Sequence, residues 1–367
     1  MVHQEEEKIS RLVVRLIAVF WIVMKIMSYK LWMTDRIYPL VPLLDLPSFV
    51  HTGLFFLFFP LCGWLIFNPS NRYIMWVLIA SEIILTTGDQ SRIQPWNYQY
   101  MFTLFVIAGN FKDKKKAFQA IVLITAATYI YSGIQKVNSG FLDFIWSFHI
   151  LKRFAHVPDH IILNQYVRLA GYTLPIIEIS GGVCLLFKKT MKFGALLTIS
   201  MHIFILWFMG PLGINYNSVV WPWNVQMVIF LHLFFIKKKI QLQPALFFNK
   251  VNFITAICWI LLPFVGLFGY WDKFLSAGMY SGRGKLMQFY FEDRKVIPKD
   301  LEQFAFYSAT DSSARIVLTD WCMRELNVAA VTEPRVLKRI VQQLNERYKN
   351  QNVHFELTPA KRKRVNY

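Results

Sequence analysis

The chain has 367 residues, of which 55% are apolar, 17% aromatic and only 17% charged, with a mean hydropathy of +0.36. A soluble domain is usually about a quarter charged, so this composition excludes a soluble enzyme or binding module and points to a polytopic α-helical membrane protein. The net charge of +18 sits largely in short clusters between apolar runs, where it reads as a topology signal and not as a nucleic-acid surface.

The acidic start at Glu5-Glu6-Glu7 leads into an apolar run with no small-residue cleavage site, which reads as a retained helix and not a signal peptide. Nine spans are predicted. The first is Ile9–Ser28, with Arg11 and Arg15 one turn apart near its start. A proline-bearing loop over Tyr29–Pro47 separates it from the second, Ser48–Phe67, which Pro60 interrupts. The Asn68-Pro-Ser-Asn71 turn opens the third, ending at Gly88, and a fourth of modest length reaches Asn110. The fifth runs from near Ala117 to Lys136.

Phe141–His160 is different. It mixes aromatic residues with Asp143, His149, Lys152, Arg153, His156 and His160, too polar to span and amphipathic enough to lie along the interface. The sixth span covers about Tyr166–Phe187, the seventh Met191–Gly210, the eighth Val219–Ile236 and the ninth Val251–Tyr270. After that, charge density rises and no further span follows.

The expected fold class is therefore an all-α polytopic membrane domain of about nine transmembrane helices over residues 1–272, with a small extracytoplasmic α+β tail over 273–367. In the tail, Lys285–Ile297 and Ala314–Thr319 suggest strands. Thr332 caps a helix to about Lys349, with Val336, Leu337, Ile340, Val341 and Leu344 on one face. The Lys361-Arg-Lys-Arg364 stretch reads as a solvated end.

With nine spans and a cytoplasmic amino terminus, twelve basic residues fall in the inner loops and five (Lys30, Arg36, Arg92, Lys152, Arg153) in the short outer ones. That is the positive-inside pattern, and the expected site is a bacterial inner membrane. The four cysteines, Cys62, Cys184, Cys258 and Cys322, form no C-x-x-C, so no metal ligand set is read.

The chain is organised around Tyr129-Ile-Tyr-Ser-Gly-Ile-Gln-Lys136-Val-Asn138, which sets one lysine at the end of a membrane helix. A lysine at that depth snorkels, pairs with an acid or sits in a polar pocket, and Gly133 on the same face lets another helix approach. The topology gathers Asp89, Arg92, Lys136, the loop holding Asn215, and Trp221-Pro-Trp223-Asn224 on the outer face. Glu82, Arg168, Glu178 and His202 lie within spans, where ionisable residues default to a functional reading with a partner. Either Glu82 neutralises Lys136, or Arg168 pairs with Glu178; the sequence leaves both open. Together these groups favour a cavity open to the outer face.

Tyr131-Ser-Gly133-Ile-Gln-Lys136-Val is similar to the A-G-x-x-K-L segment of the vitamin K-dependent γ-carboxylase-like membrane domain, the HTTM domain. The Asp89…Gln94-Pro-Trp-Asn-Tyr-Gln-Tyr100 turn and an early arginine also resemble that family, over about residues 8–290, and the DoxX-like membrane proteins share the general architecture. The resemblance implies that Lys136 deprotonates a reduced, vitamin K-like quinone; Glu82 and His202, as ionisable groups within spans, are the further catalytic candidates. The candidate cofactor contacts are Tyr131 and Arg168, and the candidate substrate contacts are Asp89, Arg92, Trp96, Asn215, Trp223 and Asn224. Two departures stand out: Pro95-Trp96 occupies the place of the carboxylases' Asn-His pair, and the large luminal domain is reduced to a short tail.

Two classes follow. One is an enzyme acting on a quinol or other isoprenoid lipid in the bilayer through Lys136, or a DoxX-like quinone-linked redox protein. The other is a non-catalytic lipid-binding or assembly partner in which Lys136 is a polar anchor.

Overall fold

The computed structural model of the chain describes residues 2–284, 287–309 and 312–348, so the basic stretch at Lys361–Arg364 and the residue Lys285 lie outside it. The chain is mostly helical. Among the described residues ten longer helices precede the tail: α1 (Val2–Met27), α2 (Ser48–Phe67), α3 (Arg72–Gly88), α4 (Pro95–Gly109), α5 (Lys114–Lys136), α6 (Phe141–Phe154), α7 (Thr173–Leu185), α8 (Met191–Met209), α9 (Val220–Lys237) and α10 (Lys250–Gly266).

Helices occupy all nine expected places, but four of those described are long and apolar enough to cross a membrane: α2, α5, α8 and α9. Length and composition thus support four spans and do not confirm nine. α3 and α4 are 17 and 15 residues, shorter than the ~20 a bilayer asks for. The sixth expected span is cut at Gly171-Tyr172 into Gln165–Ala170 and α7. α1 carries Arg11, Arg15 and Lys25. Pro60 does not interrupt α2, which continues through it.

Local chemistry explains the boundaries. Asp113 accepts from Lys116 N at 3.1 Å and so caps α5. Pro95, which has no N–H to satisfy, opens α4. The Asn71 side chain accepts from Tyr73 N and Ile74 N at the start of α3. α6 has π geometry throughout, a form usually met as a single turn, and buries Phe141, Leu142, Ser147, His149, Ile150 and Leu151 on one side.

The chain divides into two compact units, each described by itself. The first comprises residues 1–27, 56–83 and 93–283. Its centre is α5, 89% buried over its 18-residue apolar window, as an inner helix should be. α5 packs against α7, α7 against α8, and α8 against α9. Small residues permit this. A Cβ on Gly133 would stand 2.6 Å from Ile179 Cγ1 and 2.8 Å from the Pro175 carbonyl, so α5 and α7 touch backbone to backbone there. The outer surfaces of α2 and α8 instead expose Phe56, Trp64, Phe193, Leu196, Ile203 and Trp207, the surface a bilayer covers.

The second unit comprises residues 28–55, 84–92 and 284–367. Its sheet joins β1 (Gln288–Phe291), β2 (Ala305–Tyr307) and β3 (Ala314–Val317) in the antiparallel order β1-β3-β2. Of the strands expected within 285–297 and 314–319 each appears in shortened form. β2 and the helix α11 (Leu318–Leu326) were not foreseen. The last helix, α12 (Pro334–Arg347), follows Glu333 and buries Val336, Leu337, Ile340 and Leu344. Trp321 of α11 is fully buried, stacked on Phe304 at 5.5 Å and edge-on to Tyr38 at 5.3 Å. Burial pushes the neighbouring Cys322 thiol up to about 12, so it stays protonated.

Candidate functional site

Lys136 ends α5, and Ser132 and Gly133 lie one turn earlier on the same face. Its Nζ donates to Ser132 Oγ at 2.8 Å and to Glu178 Oε2 of α7 at 2.5 Å, with 15% of the lysine side chain and 7% of the glutamate exposed. The close approach at Gly133 places Glu178 there: Ile179, its neighbour, packs on the missing Cβ. Both pairings weighed from the sequence are thereby replaced. Glu82 does not neutralise Lys136, and Arg168 does not pair with Glu178.

Glu82 binds Lys25 of α1, with Nζ 2.8 and 2.9 Å from its two oxygens and both side chains fully buried. Lys25 also lies over the Phe58 ring at 4.6 Å. It was missed at the sequence level, although a lysine two residues from the end of α1, after the apolar run over residues 16–24, is itself a signal. Arg168 binds Asp143 at 2.7 Å, each more than a third exposed.

His202 sits in a second buried set, one face of the same bundle. Tyr129, two turns before Lys136, brings its hydroxyl to 2.6 Å from His202 Nε2. Asn224 of α9 brings Oδ1 to 2.6 Å from Nδ1, while its amide donates to Val220 O at 2.7 Å. With that amide committed, the oxygen accepts from Nδ1–H, while Nε2 meets the Tyr129 hydroxyl. The ring is hydrogen-bonded on both sides. Asn224 was placed on substrate from the sequence; here it orients a histidine.

The other expected site residues are dispersed in role. Tyr131 donates to Ile260 O at 2.7 Å and Trp223 to Gln99 Oε1 at 2.7 Å. Trp96, in the first turn of α4, is fully buried. Asn215 has a positive φ of 47° in the α8–α9 loop, which asparagine tolerates.

Asp89 and Arg92 belong to the second unit. Asp89 accepts from Arg36 at 2.6 Å, from Val41 N and from Ser91 N, each at 3.1 Å. Burial alone would raise its carboxyl, but Arg36 and then Arg92, with those two N–H groups, hold it below the usual carboxylate range. Arg92 donates to the carbonyls of Leu31, Leu85 and Trp32 at 3.0, 2.8 and 2.9 Å and faces His51 Nδ1 at 2.8 Å. Its guanidinium clamps three chain segments together. Among the described residues no group of three or more His, Cys, Asp or Glu is placed to hold a metal ion.

One family model matches, that of the methylamine utilisation protein MauE, over residues 114–218. That stretch runs from α5 through α6, α7 and α8 to the edge of α9, and covers less than a third of the chain. No curated protein and no solved structure matches. The expected membership of the HTTM family, with its DoxX-like alternative, is corrected by this finding, because no model of either matches. The physical reason is that the motif behind it is generic. A small residue one turn before a terminal lysine serves any pair of membrane helices that touch closely and share an ion pair, as Gly133, Lys136 and Glu178 do. The apolar helices and the likeness to this membrane family make the chain an integral membrane protein.

Proposed function

We propose that the chain is a non-catalytic integral membrane protein, an assembly or lipid-binding partner, in which Lys136 locks α5 to α7. The observation that carries this reading is the direct contact of Lys136 with both Glu178 and Ser132. A lysine base needs its nitrogen free to take a proton from substrate; an ammonium already committed to a carboxylate and a hydroxyl is an anchor. The same holds for the other ionisable groups once assigned to a reaction. Glu82, His202 and Arg168 each have a partner inside the protein. The family name attached to residues 114–218 describes a process, methylamine utilisation, and supports membrane residence without supplying a reaction.

The reading extends to orientation in a bacterial inner membrane. α5 and α8 begin, and α9 ends, at basic clusters around 112–116, 188–192 and 237–239. We place these clusters and the amino terminus in the cytoplasm, so that Lys136 and the α8–α9 loop lie at the outer face.

Substitutions at Lys136 separate an anchor from a base. Lys136→Arg should fold as wild type and complement a deletion strain. Lys136→Met should lower stability in detergent by about 2–3 kcal/mol, less than the about 3–5 of a fully buried pair because the site is partly exposed. Adding Glu178→Met to it should restore most of that loss, since the carboxylate is no longer stranded. An arginine variant that melts like wild type yet fails to complement would overturn the anchor reading.

A further inference from the structure

At the end of α8 opposite its basic cluster, the chain forms a cavity of about 320 Å³ lined by Arg153, Phe154, Ala155, His156, Trp207, Leu212 and Gly213. Two features mark it. The first is a cation without an anion. Lys152 next door is bound to Asp159 at 2.8 Å, but Arg153 reaches only the ring of His149, at 3.4 Å, and no carboxylate among the described residues pairs with it. Burial, with Arg153 beside it, pushes His149 down to about 4, so that ring is neutral and offsets nothing. His156 also lines the cavity.

The second feature is an apolar track beside the cation. Trp207, 56% exposed, stands in the last turn of α8, with Phe154 edge-on at 4.9 Å. Leu212 is 88% exposed just beyond the helix, and Ile203 is exposed one turn below Trp207. A cationic pocket at the mouth of a span, continuous with exposed apolar side chains running down that span, matches a molecule with an anionic head and a hydrocarbon tail.

We infer that this cavity is a binding site for an anionic phospholipid, with Arg153 and His156 holding the phosphate and the acyl chain lying along Trp207 and Ile203. Arginine suits the head because its fork donates two parallel hydrogen bonds to phosphate oxygens. The volume falls within the range of small-molecule sites and suits a glycerophosphate head, while the tail stays in the bilayer. The inference rests on the membrane character of the chain and not on the role of Lys136.

Native mass spectrometry of the full-length protein in an equimolar mixture of phosphatidylglycerol and phosphatidylcholine tests it. The wild type should retain phosphatidylglycerol by about fivefold over phosphatidylcholine, the worth of one basic side chain at a membrane surface. Arg153→Gln should remove the preference. Lys152→Gln, which takes the same charge from the neighbouring residue, should keep it, and Trp207→Ala should weaken retention of both lipids. An equal loss in the Lys152 and Arg153 variants would mean diffuse surface charge and overturn the site. Displacement of the bound lipid by millimolar inorganic phosphate would assign the pocket to a soluble phosphate and overturn the lipid.

Discussion

Lys25 and Glu82 show how far a single pair can govern a membrane bundle. Both are fully buried, the ammonium meets both carboxylate oxygens, and Phe58 covers its other side. Desolvating two charges costs about as much as their attraction returns, so the pair adds little net stability while it is intact. Breaking it is another matter. Lys25→Met strands a buried carboxylate and should destabilise the protein by about 3–5 kcal/mol in a detergent melt. Lys25→Met with Glu82→Gln should recover most of this. If the single variant melts like wild type, the two side chains do not meet as described.

The helices of the first unit fit because particular glycines are absent space. On α7, a Cβ at Gly182 would lie 2.9 Å from both the Ile130 amide nitrogen and Tyr129 Cβ of α5. Backbone cannot move aside as a flexible side chain can. Gly182→Ala should therefore cost about 1–3 kcal/mol, the usual penalty of overpacking. Gly63 of α2 makes the contrast, with nothing within 4 Å of its added Cβ. Gly63→Ala should be neutral or gain up to about 1 kcal/mol from helix propensity. Equal melting temperatures for the two variants would show that α5 and α7 are not in backbone contact. The same closeness explains why the Gly133–Lys136 segment reads as a family motif: packing need and chemical signature share one spelling.

For the molecule as a whole, the proposed orientation makes a direct demand on accessibility. In a background with the four native cysteines replaced by alanine, Leu212→Cys should label with a membrane-impermeant maleimide applied to intact cells. Lys115→Cys should label only after permeabilisation. The reverse pattern would invert the protein and move Lys136 and the lipid cavity to the cytoplasmic side. The second unit is held by different means. Glu325 of α11 accepts from the amides of Ile37 and Tyr38 at 2.6 and 2.9 Å and from the Trp321 indole at 2.7 Å. One carboxylate thus satisfies three donors from residues nearly 300 positions apart in the chain.

What the sequence determined by itself is whatever depends on composition and local spacing. It marked a membrane protein, the course of α2, the start of α3 from its turn, and the buried face of α12. It also marked Lys136 and His202 as buried polar groups that must have partners. Periodicity says which face of a helix turns inward, so these were legible. It does not say which helix lies opposite or at what height. Hence only the tertiary structure decided that Lys136 meets Glu178, that Glu82 meets Lys25, and that Arg168 meets Asp143. It also decided that the sheet runs β1-β3-β2 with a three-residue middle segment of chain, β2, too short to signal itself. An ion pair between helices depends on their contact and register to within an ångström or two, and that information resides in how the packed backbones exclude one another, as at Gly133 and Gly182.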